Sequence, residues 1–387
     1  MSFFFGAFFF PFGIYIPFFG VWLKSLGMDA PDIGLILTIP LIIRVLTTPF
    51  MAALADKIGD RRLTLQVYCF VFAATFSLIV LNHSLLWIAF VMALSHIAQN
   101  AVIPVADSLA MAGSRRFDLD YGRMRSWGSV SFMLANLAGG FVLDILGADK
   151  IIWVMVAGNV LHLIFSMTLP SDPRLADNKN LTKGAQLNWS QLSQFAQTGF
   201  WIVLISTALL QSSHSLLYAF ATIYWQKIGF APNMTGVFWS ASVMAEVALF
   251  IVSKKLVARV GWKPLLITGC IIACIRWLLF PLELSATGYL LLQLLHAGSF
   301  ACSHLGMMFF LSEVVDDELS GTAQGLYTMI TGLLMAVVTF FSGMLYARWG
   351  GDAFFLMSTL SLAALLLLFV LPLFPMGHIK ADASRLE

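Results

Sequence analysis

The sequence predicts an all-α membrane protein, with twelve transmembrane helices in two six-helix bundles. Three observations predict it. Hydrophobic residues make up 59% of the chain and charged residues 11%, against about 25% charged in a soluble domain, and the mean hydropathy is +0.87. Apolar runs of about 20 residues, the length that spans a bilayer, recur along all 387 residues with short connectors. A single long polar stretch, near 171–198, interrupts this pattern midway.

The runs take the following order. The first, 4–25, opens on F-F-F-G-A-F-F-F, is followed by further spans and lacks a small-residue cleavage site, so it reads as a helix and not a signal peptide. Tyr15, Phe19 and Trp22 add aromatic groups along it. The second, 33–54, carries Arg44 at its centre. The third is 64–81. The fourth, 85–110, places His96, Asn100 and Asp107 at i, i+4 and i+11, one narrow face of a 3.6-residue repeat. The fifth and sixth are 126–147 and 151–170. These complete a first bundle, 1–170, and a cytoplasmic linker 171–198 follows.

The second bundle occupies 199–374, with a tail at 375–387. Its first span, 199–226, aligns Gln211, Ser215, Tyr218 and Thr222 on one face. Next come 233–253 with Glu246, 264–281 with Arg276, and 287–312 with Gln293, His296 and Ser303 on one broad face. Spans at 322–346 and 353–374 close the set.

Charge fixes the orientation. With the N-terminus inside, only Lys24, Lys150, Lys227 and Arg348 fall on the outer side, and Arg44 and Arg276 lie within spans. Every other Lys and Arg of the 22 is cytoplasmic, so the positive-inside rule places both termini in the cytoplasm. The four cysteines all fall within spans and are spaced for neither a metal site nor a disulfide framework. Enzyme signatures such as H-E-x-x-H, G-x-S-x-G or a nucleotide-binding loop are missing, so no catalytic residue, cofactor, metal or nucleic-acid partner is expected.

Ionisable groups inside the bilayer carry the functional signal, because each costs at least ~2.5–3.5 kcal/mol there. Arg44, Asp107, Glu246, Arg276 and His296 are these groups. Arg44 is too central to snorkel, and either pairs with an acid or binds an anionic substrate. Glu246 is the candidate proton carrier, coupled to Arg276 or His296, and His296 is the competitor for that role, since histidine titrates near neutral pH unperturbed. The polar faces around Tyr15, Trp22, Asn100 and Gln211 suit a substrate path. Equally, Ser, Thr, Asn and Gln act as glue between helices, and His96, His162, His214 and His304 as packing residues.

The two halves echo one another. A-L-A-D-K-I-G-D-R-R at 53–62 and K-L-V-A-R-V-G-W-K at 255–263 align with Gly59 on Gly261. This arrangement resembles the parallel repeats of major-facilitator transporters, and the first loop is similar to their G-x-x-x-D-R-x-G-R-R motif. Ala52 replaces its first Gly and Asp60 one of its basic residues. The resemblance implies a cytoplasmic latch at Asp56, Gly59 and Arg61.

A second likeness is narrower. Y-I-P-F-F-G-V-W-L-K from Tyr15, A-D-S-L-A from Ala106, and L-D-Y-G followed by R-x-R-x-W-G-S around Arg125 resemble the lactose permease group. They resemble its nucleoside:proton symporter and phenylpropionate permease relatives more, and the last of these most. The likeness implies that Asp107 and Arg125 contact substrate. In the second half Gln293 and Ser299 stand where the lactose group has a lysine and its proton-carrying glutamate, while Arg276 and His296 are kept. Lactose chemistry is therefore not expected. An aromatic path with arginines suits a small aromatic carboxylate such as 3-phenylpropionate, imported with protons across a bacterial-type inner membrane by a monomer. A nucleoside or sugar proton symporter is the alternative, and a non-transporting membrane sensor of the same fold the alternative from another class.

Overall fold

The computed structural model describes residues 1–171, 193–316 and 319–374. Most of the linker and the tail expected at 375–387 lie outside the described residues. Among the described residues all regular structure is helical. The spans are α1 Ser2–Ser25, α2 Ala30–Ile58, α3 Arg61–Ser77, α4 Leu85–Phe117, α5 Tyr121–Leu146 and α6 Ile151–Ser166, then α7 Thr198–Lys227, α8 Pro232–Val260, α9 Trp262–Leu279, α10 Ala286–Val314, α11 Ser320–Trp349 and α12 Ala353–Val370. These twelve helices are the expected set.

Several helices outrun the expected apolar spans, because they continue past the hydrocarbon into water. α2 ends at Ile58, where Gly59 takes a left-handed φ of 78° that a side chain would strain. The carboxylate of Asp60 then accepts from the Leu63 N–H at 3.1 Å and caps α3. That cap gives a structural use to the acid standing where the loop motif has a basic residue. α4 is two segments, Leu85–Gln99 and Val102–Phe117, joined through Asn100 and Ala101. Pro104 has no N–H for the Asn100 carbonyl, which accounts for a break there. α10 contains a π-turn at Ala297–Ala301, a local widening that often marks function.

Packing divides the described chain into two compact units. One comprises the residues before the linker together with Tyr218–Ser240 and Thr339–Ala347. Its core joins Phe4, Phe5, Phe8, Leu65, Val102 and Leu109. α1 and α5 approach closely in it because Gly13 faces backbone: a Cβ there would lie 2.5 Å from the Phe132 carbonyl oxygen. Gly13→Ala is therefore expected to lower the thermal midpoint in detergent, by an overpacking cost of about 1–3 kcal/mol. Gly113→Ala, in open space, should leave it nearly unchanged. An unshifted Gly13→Ala midpoint would contradict this packing. The other unit comprises Ser193–Leu217 of the described chain, Ala241–Val338 and the residues from Arg348. In it Phe280 and Phe354 join α9 to α12 at a ring separation of 4.1 Å.

Large apolar side chains such as Phe50, Leu86, Ile145 and Ile251 are well exposed. On a soluble protein this much exposed apolar surface would be a liability. On twelve spanning helices it is the lipid-facing surface.

Candidate functional site

The charged residues form two separate clusters, one in each unit. In the second unit Arg276 of α9 is completely buried, and its guanidinium is satisfied by α10. Nε donates to the Leu292 carbonyl at 3.0 Å, Nη2 to Gln293 Oε1 at 3.0 Å, and Nη1 to both His296 Nδ1 at 3.0 Å and Ser299 Oγ at 2.7 Å. The guanidinium also lies 4.7 Å from the Trp277 ring centroid.

These donors determine the state of His296. A guanidinium only donates, so His296 Nδ1 accepts and its proton resides on Nε2. That nitrogen lies 3.0 Å from Glu246 Oε1, on α8. The imidazole is thus neutral and donates to the Glu246 carboxyl, whose charge, when ionised, offsets that of Arg276 through it. Glu246 retains 19% side-chain exposure while His296 retains 3%, so the carboxyl is the more accessible end of this chain.

His214 completes the other branch. Its Nδ1 lies 3.2 Å from the Leu210 carbonyl and donates there, which leaves Nε2, 3.0 Å from Ser299 Oγ, as an acceptor in the neutral ring; the same hydroxyl also lies 3.2 Å from the His296 carbonyl. Gln293 and Ser299, which replace ionisable residues of the lactose group, are here neutral partners of Arg276. With them in place the charge of Arg276 is offset, among the groups named here, only when Glu246 is ionised. Gln211 is 4% exposed and donates to Ser303 Oγ at 2.7 Å, so its amide joins α7 to α10.

In the first unit Arg125 of α5 approaches Asp107 of α4 through Nε at 3.8 Å. This single contact is longer than a hydrogen bond. The guanidinium lies 4.3 Å from the Phe9 ring centroid and 5.4 Å from that of Phe5, both on α1. The Tyr121 hydroxyl interacts electrostatically with both Asp107 and Arg125. Side-chain exposures of 31% for Arg125 and 29% for Asp107 leave the pair accessible. Tyr121 was missed in the sequence, although it stands four residues before Arg125, on the same helix face.

Tyr15 is partly buried and stacks on Phe19 at 4.7 Å; Phe19 in turn stacks on Trp22 at 5.4 Å. Trp22 has no exposed surface, so it backs this stack without presenting a free face. Asn100 sits at the break in α4, where its Nδ2 is buried without a hydrogen-bond partner among the described residues. Asp56 is exposed near the end of α2. Arg61 donates to the Ser108 carbonyl at 3.2 Å, which ties the start of α3 to α4. The Arg44 side chain is exposed and makes no hydrogen bond, ion pair or ring contact with the described residues, while its backbone carbonyl accepts from the Thr48 hydroxyl at 2.6 Å. The structure therefore joins Glu246, His296 and Arg276, joins Asp107 and Arg125, and leaves Arg44 by itself.

Twelve apolar helices, with one charged cluster sealed among them and a second near the start of α5, fit a multi-pass membrane transporter of the major-facilitator type. The chain belongs to the MFS_1 like family, whose model matches residues 1–357. The probable 3-phenylpropionic acid transporter of Escherichia coli (strain K12) is 29% identical over 369 residues, covering 93% of this chain and 94% of the relative. The lactose permease of Citrobacter freundii is 24% identical over 286 residues, 67% of each chain. Among solved structures the nucleoside transporter NupG superposes with a TM-score of 0.86 at 15% identity, covering 97% of this chain and 98% of the other. A D-xylose-proton symporter gives 0.72 at 14% identity, with coverages of 98% and 97%.

Proposed function

We propose that this transporter is a proton-coupled symporter that imports a small aromatic monocarboxylate such as 3-phenylpropionate. Its termini are cytoplasmic, and it acts as a monomer, since both charged clusters belong to one chain. The observation that carries the coupling is the chain Glu246–His296–Arg276, in which a partly accessible carboxyl is linked through one imidazole to a sealed arginine. Protonating Glu246 removes its charge, so the cluster's net charge follows proton occupancy. An anion travelling with the proton keeps the total charge moved at zero, which lowers the cost of crossing a low-dielectric region. The partly exposed Tyr15, the stacked Asp107–Arg125 pair, Asn100 and Gln211 belong to the substrate path in this reading. The loop at Asp56, Gly59 and Arg61 serves as the cytoplasmic latch.

The likeness to a probable 3-phenylpropionic acid transporter along almost the full chain supports the substrate class. The test is uptake of labelled 3-phenylpropionate into proteoliposomes, with and without an imposed gradient, acid outside. Accumulation only with the gradient, and no competition by uridine or a disaccharide, is the expected result. Uptake of uridine or a disaccharide in preference to the aromatic acid would reject the substrate class. Gradient-independent accumulation would reject the coupling.

A further inference from the structure

Arg44 is the midpoint of the 29-residue α2, about 21 Å from either helix end at 1.5 Å per residue. The hydrocarbon core extends only ~15 Å to either side of its midplane. An arginine side chain at this depth cannot reach a headgroup region, and facing lipid would cost several kcal/mol. Its position on the helix agrees. Ile42, Leu46 and Phe50 form the outward apolar strip. Arg44 shares the other side with Ile33 and Ala55, eleven residues away in each direction and thus on its own face; these are 2% and 3% exposed. Arg44 itself is exposed. The side chain therefore stands on the protein side of α2 and is open to a ligand.

Arg276, Arg125 and Arg44 differ in how they are compensated. Arg276 is enclosed by four acceptors and balanced by Glu246. Arg125 has Asp107 at 3.8 Å and two phenyl rings. The Arg44 side chain has no hydrogen-bond, ion-pair or ring partner among the described residues. A further anion would meet repulsion from Asp107 at Arg125, and at Arg44 would meet an uncompensated charge.

We infer that Arg44, and not Arg125, seats the substrate carboxylate, and that it makes the transporter selective for monoanions. This rests on the aromatic-acid reading above and assigns the charged end of that substrate. One guanidinium binds one carboxylate. A second carboxylate in the same low-dielectric space would go unpaired at a large desolvation cost, so dicarboxylates are disfavoured.

The test is equilibrium binding of 3-phenylpropionate and of its primary amide, 3-phenylpropanamide, to the full chain in nanodiscs. Wild type is expected to prefer the acid by about tenfold to a hundredfold, the range of a charged hydrogen bond. Arg44→Gln is expected to bring that preference to about one, chiefly by weakening the acid. Arg125→Gln should weaken acid and amide alike. A wild-type preference that survives in Arg44→Gln, or that vanishes only in Arg125→Gln, overturns the inference and leaves the substrate class standing. Wild type that binds neither compound rejects the substrate class, and the ligand named for Arg44 with it. A second measurement needs no variant: labelling of Arg44 by phenylglyoxal, followed by mass spectrometry, should be blocked by the acid and not by the amide. Full labelling at saturating acid overturns the assignment.

Discussion

Glu246→Gln is expected to abolish accumulation of substrate against a gradient while leaving exchange intact. Glutamine retains an acceptor oxygen for His296 Nε2–H, 3.0 Å from the native carboxylate oxygen, so the geometry of α8 against α10 is conserved. What it cannot do is take up and release a proton. A carrier without coupling brings its substrate to an inside-to-outside ratio of about one whatever the proton gradient, because the coupling free energy is zero. Counterflow of labelled against unlabelled substrate should continue at a rate comparable to wild type. The two measurements separate the roles: loss of both means that Glu246 is needed for the transport cycle itself. Retained proton-driven accumulation would instead move the proton site to another group. His304, which interacts electrostatically with Glu246, would be the first to examine.

The part of this cluster that the sequence disclosed was its charges. Glu246, Arg276 and His296 stand out in apolar runs because any ionisable group there is costly. Their neutral partners were not legible. Gln293 and Ser299 read as losses relative to the lactose group, whereas they are acceptors for Arg276. Hydrogen bonds between α9 and α10 depend on helix rotation and on the π-turn at Ala297–Ala301, and no hydropathy pattern encodes either. His214 was hidden for the same reason, since its partner Ser299 is 85 residues away. Tyr121 was legible from its spacing alone.

The fold was readable almost throughout, because a bilayer admits few solutions for a chain with twelve apolar runs. Helix ends were less so. Hydropathy reports where the hydrocarbon stops, while α2 stops at Gly59 and α4 at Asp118, both left-handed caps outside it. The stack of Tyr15, Phe19 and Trp22 shows a related limit. All three are aromatic members of one helix, yet Phe19 and Trp22 are enclosed and Tyr15 is partly open. A residue that lines a path and one that supports the lining carry the same composition signal.

Arg125→Lys is expected to impair transport nearly as much as Arg125→Ala. The reason lies in the geometry of the pair. At 3.8 Å through Nε the guanidinium is not forked onto Asp107, so no bidentate bond is there to lose. What lysine cannot supply is a flat cation lying against Phe9 at 4.3 Å while it meets Asp107 at its edge. Losing the ring contact and loosening the ion pair at this partly exposed site together amount to about 1–2 kcal/mol, a fivefold to thirtyfold fall in uptake. Tyr121→Phe retains the ring and removes the hydroxyl, so a smaller defect in the same direction is expected. Asp107→Asn leaves the arginine charge without its acid and should resemble Arg125→Ala. Initial uptake rates at matched amounts of reconstituted protein are the measure. An Asp107→Asn variant that transports at the wild-type rate, or an Arg125→Lys variant that does so, would show that the pair is no functional unit and that its residues only pack α5 against α1 and α4.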